Sequence, residues 1–176
     1  MGEYTYACSD FKFKKGLVSA TKTSGHTLQI ADGLWLDKKF KAAMMKSIAQ
    51  SELDRKRFVY SDIGFILLQQ VVEAVTGKTL DAYLVSEFYR PMGLEHTLFQ
   101  PLNRYKKADI MPTAANDYLR RQDLCGYVHD EAAAFMGGVS GNAGLFSTAQ
   151  ELGKIYQMIL NEGELDGKRY LRPETC

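Results

Sequence analysis

The sequence predicts a mainly α domain with long ordered loops and few short strands, and three observations carry that reading. Apolar residues recur at helical spacing in three separate stretches, residues 37–50, 63–88 and 149–160. Short polar residues that can cap a helix stand ahead of each stretch, and glycine or proline closes the last two. Between them, residues 95–145 are rich in proline, glycine and short polar residues, with no sustained period of either kind.

Taken in order, residues 1–35 mix aromatic, basic and small side chains and read as an irregular lead-in holding one short strand at most. Residues 36–176 then form the helical region of a single domain spanning 1–176. Its first helix covers 37–50, with Phe40, Ala43, Met44 and Ile48 on one face and Asp37 as N-cap. Ser61 or Asp62 caps the next, whose apolar positions include Ile63, Ile66, Leu67, Val71, Ala74 and Val75. Gly77 supplies its left-handed C-terminal residue. That helix is apolar around more than one face, which predicts heavy burial. Thr79 caps a partner helix through Leu80, Leu84 and Phe88, stopped by Pro91 and Gly93, so the two form a hairpin with a short connection. The last helix opens on a capping box, Ser147 with Gln150 or Thr148 with Glu151. It keeps Leu152, Ile155, Tyr156, Ile159 and Leu160 on one face and ends at Gly163.

Composition excludes several function classes. The chain has 176 residues, of which 45% are apolar and 24% charged. At that size a domain buries roughly two thirds of its unfolded surface and needs no metal or disulfide staple. The apolar stretch at 132–139 is far short of the ~18 residues of a membrane helix. MGEYTYACSD lacks the basic and apolar regions of a signal peptide. Lys+Arg and Asp+Glu total 22 and 21. The basic clusters Lys14-Lys15, Lys38-Lys39 and Arg55-Lys56-Arg57 lack interleaved aromatics, so they read as solvated faces and no nucleic-acid partner is expected. Cys8, Cys125 and Cys176 have no CxxC spacing, and His26, His96 and His129 have no metal-ligand spacing. No metal or organic cofactor is expected, and His129-Asp130-Glu131 reads as a hydrogen-bonded loop cluster.

Among motifs, Gly77-Lys78-Thr79 is not the end of a phosphate-binding loop, because Val72 stands where a glycine is required. The cluster from Gly137 to Gly144 has the wrong spacing for a dinucleotide fingerprint. It implies a backbone path pressed against a ligand or a neighbouring segment, or close packing alone. Tyr60-Ser61-Asp62 also has two readings. Either Ser61 or Asp62 caps the helix while Tyr60 packs as a staple, or the helix terminus presents a phenol and two short polar groups to a cleft. In the second case Tyr60 is a proton shuttle, provided a lysine cation lowers its pKa.

The run Phe58-Val59-Tyr60-Ser61-Asp62-Ile63-Gly64-Phe65-Ile66-Leu67-Leu68, with Val75-Thr76-Gly77-Lys78-Thr79-Leu80 and Pro91-Met92-Gly93-Leu94, resembles the serine β-lactamase-like family. That family includes class C β-lactamases, DD-peptidases and related esterases. Gly137-Gly138-Val139-Ser140-Gly141-Asn142-Ala143-Gly144 resembles its glycine-rich stretch before a helix, where histidine is frequent at the position of Asn142. Val128-His129-Asp130-Glu131 is similar to the β-lactamase-like domain that some Bacteroidetes exoenzymes carry behind a family 3 glycosidase domain.

The resemblance implies the helical region of an α/β β-lactamase/transpeptidase-like fold and acyl transfer through a seryl ester on a small or peptide-like amide or ester. It implies Tyr60 as the catalytic proton relay, and Asp62 (where asparagine is commonest) and Asn142 as substrate-binding residues. It also implies a Ser-x-x-Lys nucleophile opening a buried helix, and a Lys/His-Thr-Gly element beyond the last helix. Ser19-Ala20-Thr21-Lys22 matches the former as text only, 41 residues before Tyr60. The expectation is therefore an internal piece of an exported hydrolase, inactive alone and prone to homo-oligomerise through uncovered apolar surface. The rival expectation is a non-catalytic binding or scaffolding domain on the same fold.

Overall fold

The computed structural model describes residues 12–52 and 59–176. Cys8, the Arg55-Lys56-Arg57 cluster and Phe58 lie outside the described residues.

The lead-in is more regular than its sequence suggests. Strands β1 (Val18–Ser19), β2 (His26–Ala31) and β3 (Leu34–Asp37) form an antiparallel sheet in the order β1-β3-β2, with Val18 and Leu28 both opposite Leu36. The strands are short, and register shifts within the β2–β3 pairing interrupt the ladder, so no sustained period runs through the stretch. Helix α1 (Phe40–Gln50) follows. Asp37 does not cap it: Lys39 holds that position, and Asp37 Oδ1 instead accepts from the Lys39 N–H at 2.7 Å.

Helix α2 (Ile63–Thr76) ends on Gly77 at φ +66, as its sequence requires. Its burial is the reverse of the expectation. Only Ile66 and Gln69 are buried, whereas Leu68, Val71 and Val75 are 59%, 56% and 82% exposed. Within the described residues only one side of α2 is covered, so an all-round apolar helix leaves its other sides in water. The expected partner helix is divided, α3 (Leu80–Leu84) running into a π-helical turn (Val85–Tyr89). Thr79 stands at the N-cap without a side-chain bond, and the Leu80 N–H is taken by Glu73 Oε1 at 3.1 Å.

The loop-rich stretch holds strands β4 (Leu98–Phe99), β5 (Pro112–Asp117) and β6 (Gln122–Cys125), then helix α4 (Glu131–Phe135). β4 pairs with β7 (Leu145–Phe146), and β5 with β6 as a hairpin. Helix α5 (Ala149–Leu160) and the small hairpin β8 (Glu164–Leu165) and β9 (Lys168–Arg169) complete the described chain. Two cores result. Ile30 and Leu36 of the first sheet pack on Val128, Ala133 and Ala134. Tyr89, Met92 and Leu94 pack on Met158 and Leu165. Among the described residues no helix is long and apolar enough to cross a membrane.

The capping box at α5 is half formed. Thr148 Oγ1 accepts from the Glu151 N–H at 3.3 Å, but the buried Glu151 carboxylate turns away to the loop before β4. There it accepts from the backbone N–H groups of Glu95 (2.9 Å) and His96 (3.0 Å) and from Thr97 Oγ1 at 2.6 Å. Burial alone would raise its pKa; the bonds from Thr97, His96 and Glu95 prevail and hold it down to about 2. A carboxylate whose folded pKa is depressed stabilises the protein above its unfolded pKa, and that stability is lost as pH falls through the folded value. The contribution, about 3 kcal/mol, should therefore disappear between about pH 4.5 and pH 2. Glu151→Gln should flatten this acid limb in urea unfolding measured across pH. An unchanged limb would mean the network adds nothing.

Candidate active site

Asp62 occupies the N-cap of α2, but its φ and ψ are helical and its side chain makes no capping bond. The Ser61 hydroxyl takes the local role, accepting from the Ile63 N–H at 3.3 Å. The Asp62 carboxylate, making no capping bond, accepts from the Tyr60 hydroxyl, 3.0 Å from Oδ1. The phenol ring lies 6.3 Å from that of Phe65 and remains 70% exposed. The bond to Asp62 raises the Tyr60 pKa, and the charges of Asp62 and Asp130 push the same way. At neutral pH Tyr60 is a protonated donor. A lysine cation lowering its pKa, the condition set for a shuttle, is not among the groups that shift it.

Asn142 is oriented at both ends of its amide. Its Nδ2 donates to Asp130 Oδ1 at 2.9 Å, and its Oδ1 accepts from Ser140 Oγ at 2.6 Å. Asp130 Oδ1 also accepts from the Ala133 N–H at 2.7 Å, which caps α4. His129-Asp130-Glu131 is thus a helix start rather than a loop cluster. Tyr60 and Asp62 meet directly, whereas Asn142 joins them through Asp130, whose charge is felt at Tyr60.

The glycine-rich stretch is pressed against a neighbouring segment, which settles its open reading. A Cβ on Gly141 would stand 2.2 Å from the Phe65 carbonyl oxygen of α2, so only glycine fits. The contact is held by Gln69, 2% exposed, whose Oε1 accepts from the Gly141 N–H at 3.1 Å and whose Nε2 donates to the Val139 carbonyl at 3.3 Å. Sequence reasoning passed over Gln69, and its signal was a pair of amides, Gln69-Gln70, inside an apolar helical run. Beside the contact lies a groove of about 340 Å³ whose lining includes Phe65, Leu68, Val72, Ser140 and Asn142.

A second missed device positions Asp130. At the β5–β6 hairpin the buried Arg120 grips the buried Asp117, Nε to Oδ1 at 2.8 Å and Nη2 to Oδ2 at 2.6 Å. Its remaining N–H groups donate to the carbonyls of Val128 (3.0 Å) and His129, the two residues before Asp130.

Ser19 does not open a helix. It lies in β1 opposite Trp35, and its Oγ accepts from the Thr21 N–H at 3.3 Å. The Lys22 ammonium sits 5.6 Å from the Trp35 ring centroid. Among the described residues no three His, Cys, Asp or Glu side chains converge as a metal site.

Comparison with known proteins points to one family. The chain is 40% identical over 131 residues to an Escherichia coli K12 protein provisionally named D-alanyl-D-alanine carboxypeptidase. It is 42% identical over 119 residues to a Bacillus subtilis protein named N-acetylmuramyl-L-alanine amidase. These matches cover 68% and 61% of this chain but only 30% and 27% of the relatives, so the chain spans about a third of their length or less. In structure it is similar to the octameric penicillin-binding protein homologue from Pyrococcus abyssi, with a TM-score of 0.52 at 18% identity, over 80% of this chain and 30% of that one. The likeness supports the β-lactamase/penicillin-binding-protein fold expected from the glycine-rich and Tyr60-Ser61-Asp62 segments, here in partial form. Residues 20–175 match the family described as Beta-lactamase, and the chain belongs to that family.

Proposed function

We propose that this chain is the helical region of a serine hydrolase that transfers the acyl group of a peptide-like amide to a serine and then to water. The observation that carries the reading is the exposed, protonated Tyr60 hydroxyl held by Asp62 at the N-terminus of α2. The phenol keeps its proton at neutral pH and, turned from Asp62 towards substrate, can pass it to a leaving amine nitrogen. Asp62 orients that hydroxyl, and Asn142, lining the groove, offers its remaining amide hydrogen-bonding capacity to the substrate. The names of the relatives favour cell-wall peptides as the substrate class.

Ser19 lies in a strand, so the nucleophile is assigned to sequence outside these residues. The 176-residue chain alone should take no label from a fluorescent penicillin by intact mass. A polypeptide joining it to its natural flanking sequence should be acylated stoichiometrically outside residues 1–176. Label on Ser19 would overturn this assignment. No label on either would favour the non-catalytic binding domain on the same fold.

We further propose that the isolated chain self-associates. Leu68, Val71 and Val75 on α2, with Tyr156 and Leu160 on α5, are exposed apolar surface. Light scattering at micromolar concentration should give a dimer or larger species; a compact monomer would refute it.

A further inference from the structure

Between the first sheet and the glycine-rich stretch lies a cavity of about 240 Å³. Trp35, Phe146, Gln100, Asn103 and Lys22 contribute to its walls, and none of Tyr60, Asp62 and Asn142 does. Two features suit it to a ligand of one kind. Among the described residues Lys22 supplies the only formal charge in the lining, and no carboxylate lines it. The ammonium has no ion pair among the described residues and rests on the face of Trp35, a weaker partner than an anion.

The amides of the wall are tied to one another: Gln100 Nε2 donates to the Gly137 carbonyl at 2.5 Å, and its Oε1 accepts from Asn103 Nδ2 at 3.0 Å, which leaves Lys22 as the group that meets an anion. The second feature is the pair of rings, Trp35 and Phe146, which offers planar apolar surface beside the cation.

We infer that this cavity binds a small monocarboxylate with a planar or apolar body. The carboxylate replaces the Trp35 ring as the partner of Lys22, and the body lies against Trp35 and Phe146. A phosphate dianion would meet one cation and no arginine. A neutral ligand would take at most a hydrogen bond from Lys22, without the ion pair.

Trp35 is the only tryptophan of the chain, so its fluorescence reads the cavity without a label. The probes are 3-phenylpropionate and its neutral isostere 3-phenylpropionamide, titrated into the 176-residue chain at constant ionic strength. The acid should change Trp35 emission saturably and bind about tenfold more tightly than the amide, the scale of one charge-assisted bond. Lys22→Met should weaken the acid by about the same factor and leave the amide unchanged. Lys22 is exposed and makes no hydrogen bond among the described residues, and the acid–amide comparison on the unaltered protein decides independently of the variant. Equal affinities for acid and amide, an unaltered acid affinity in Lys22→Met, or no saturable change below about 10 mM would each overturn the assignment.

Discussion

Tyr60→Phe should lower kcat/KM of the complete hydrolase by about 10²–10⁴ while leaving its fold intact, the usual contribution of a positioned general acid or base. The ring is 70% exposed and, among the described residues, its ring neighbour is Phe65, so removing the hydroxyl costs little stability. What is lost is the hydroxyl whose oxygen lies 3.0 Å from Asp62 Oδ1, and its proton with it. Because Asp62 and Asp130 hold the phenol pKa above its ordinary value of 10, the donor form persists through neutral pH. An alkaline decline caused by Tyr60 should therefore begin above that value, and should be missing from the Tyr60→Phe profile. A variant retaining activity within a few-fold would reduce Tyr60 to a packing residue. Asp62→Asn is the informative companion: it keeps an acceptor but removes the charge, so it should bring the Tyr60 pKa down towards the ordinary phenol value.

Arg120→Met should destabilise the chain by about 3–5 kcal/mol, the cost of leaving one partner of a buried ion pair alone. Arg120 and Asp117 are both 4% exposed, and the guanidinium also satisfies the Val128 and His129 carbonyls. Burial would raise the Asp117 pKa, but the bonds and charge of Arg120 prevail and hold it below the usual carboxylate range. Removing the cation strands that carboxylate and two carbonyls at once. Urea unfolding measures the loss, and the double variant Asp117→Leu/Arg120→Met should recover part of it, because no charge is then left buried alone. If the single and double variants were equally unstable, the loss would lie in the carbonyl contacts rather than the stranded charge. Either way Asp130 loses its anchor, and with it the fixed orientation of Asn142.

The sequence by itself determined the elements whose signals are local. Helix α2 runs to Gly77 because only a residue without Cβ enters the left-handed conformation easily, and α5 starts at Thr148 because a hydroxyl there can take the Glu151 N–H. The Tyr60-Ser61-Asp62 and glycine-rich segments identified the family for the same reason, since their chemistry is packed into a few consecutive residues. Only the tertiary structure decided the rest. The first sheet joins strands whose alternation is broken by bulges, so its stability comes from packing on α4 and leaves no period to read. The second half of the capping box failed because the Glu151 carboxylate found four donors at residues 95–97, which outweigh one at Thr148. Asp62 serves Tyr60 instead of capping α2 because its own backbone is already helical, at φ −64 and ψ −21, rather than in the extended conformation from which a capping side chain reaches the first turn. Gln69 and Arg120 act across 72 and 8 residues of chain, on Gly141 and Val128 respectively, distances at which no local pattern records a partner. The exposed sides of α2 follow the same physics: an apolar periodicity states that a face must be covered, and only the neighbouring segments determine what covers it.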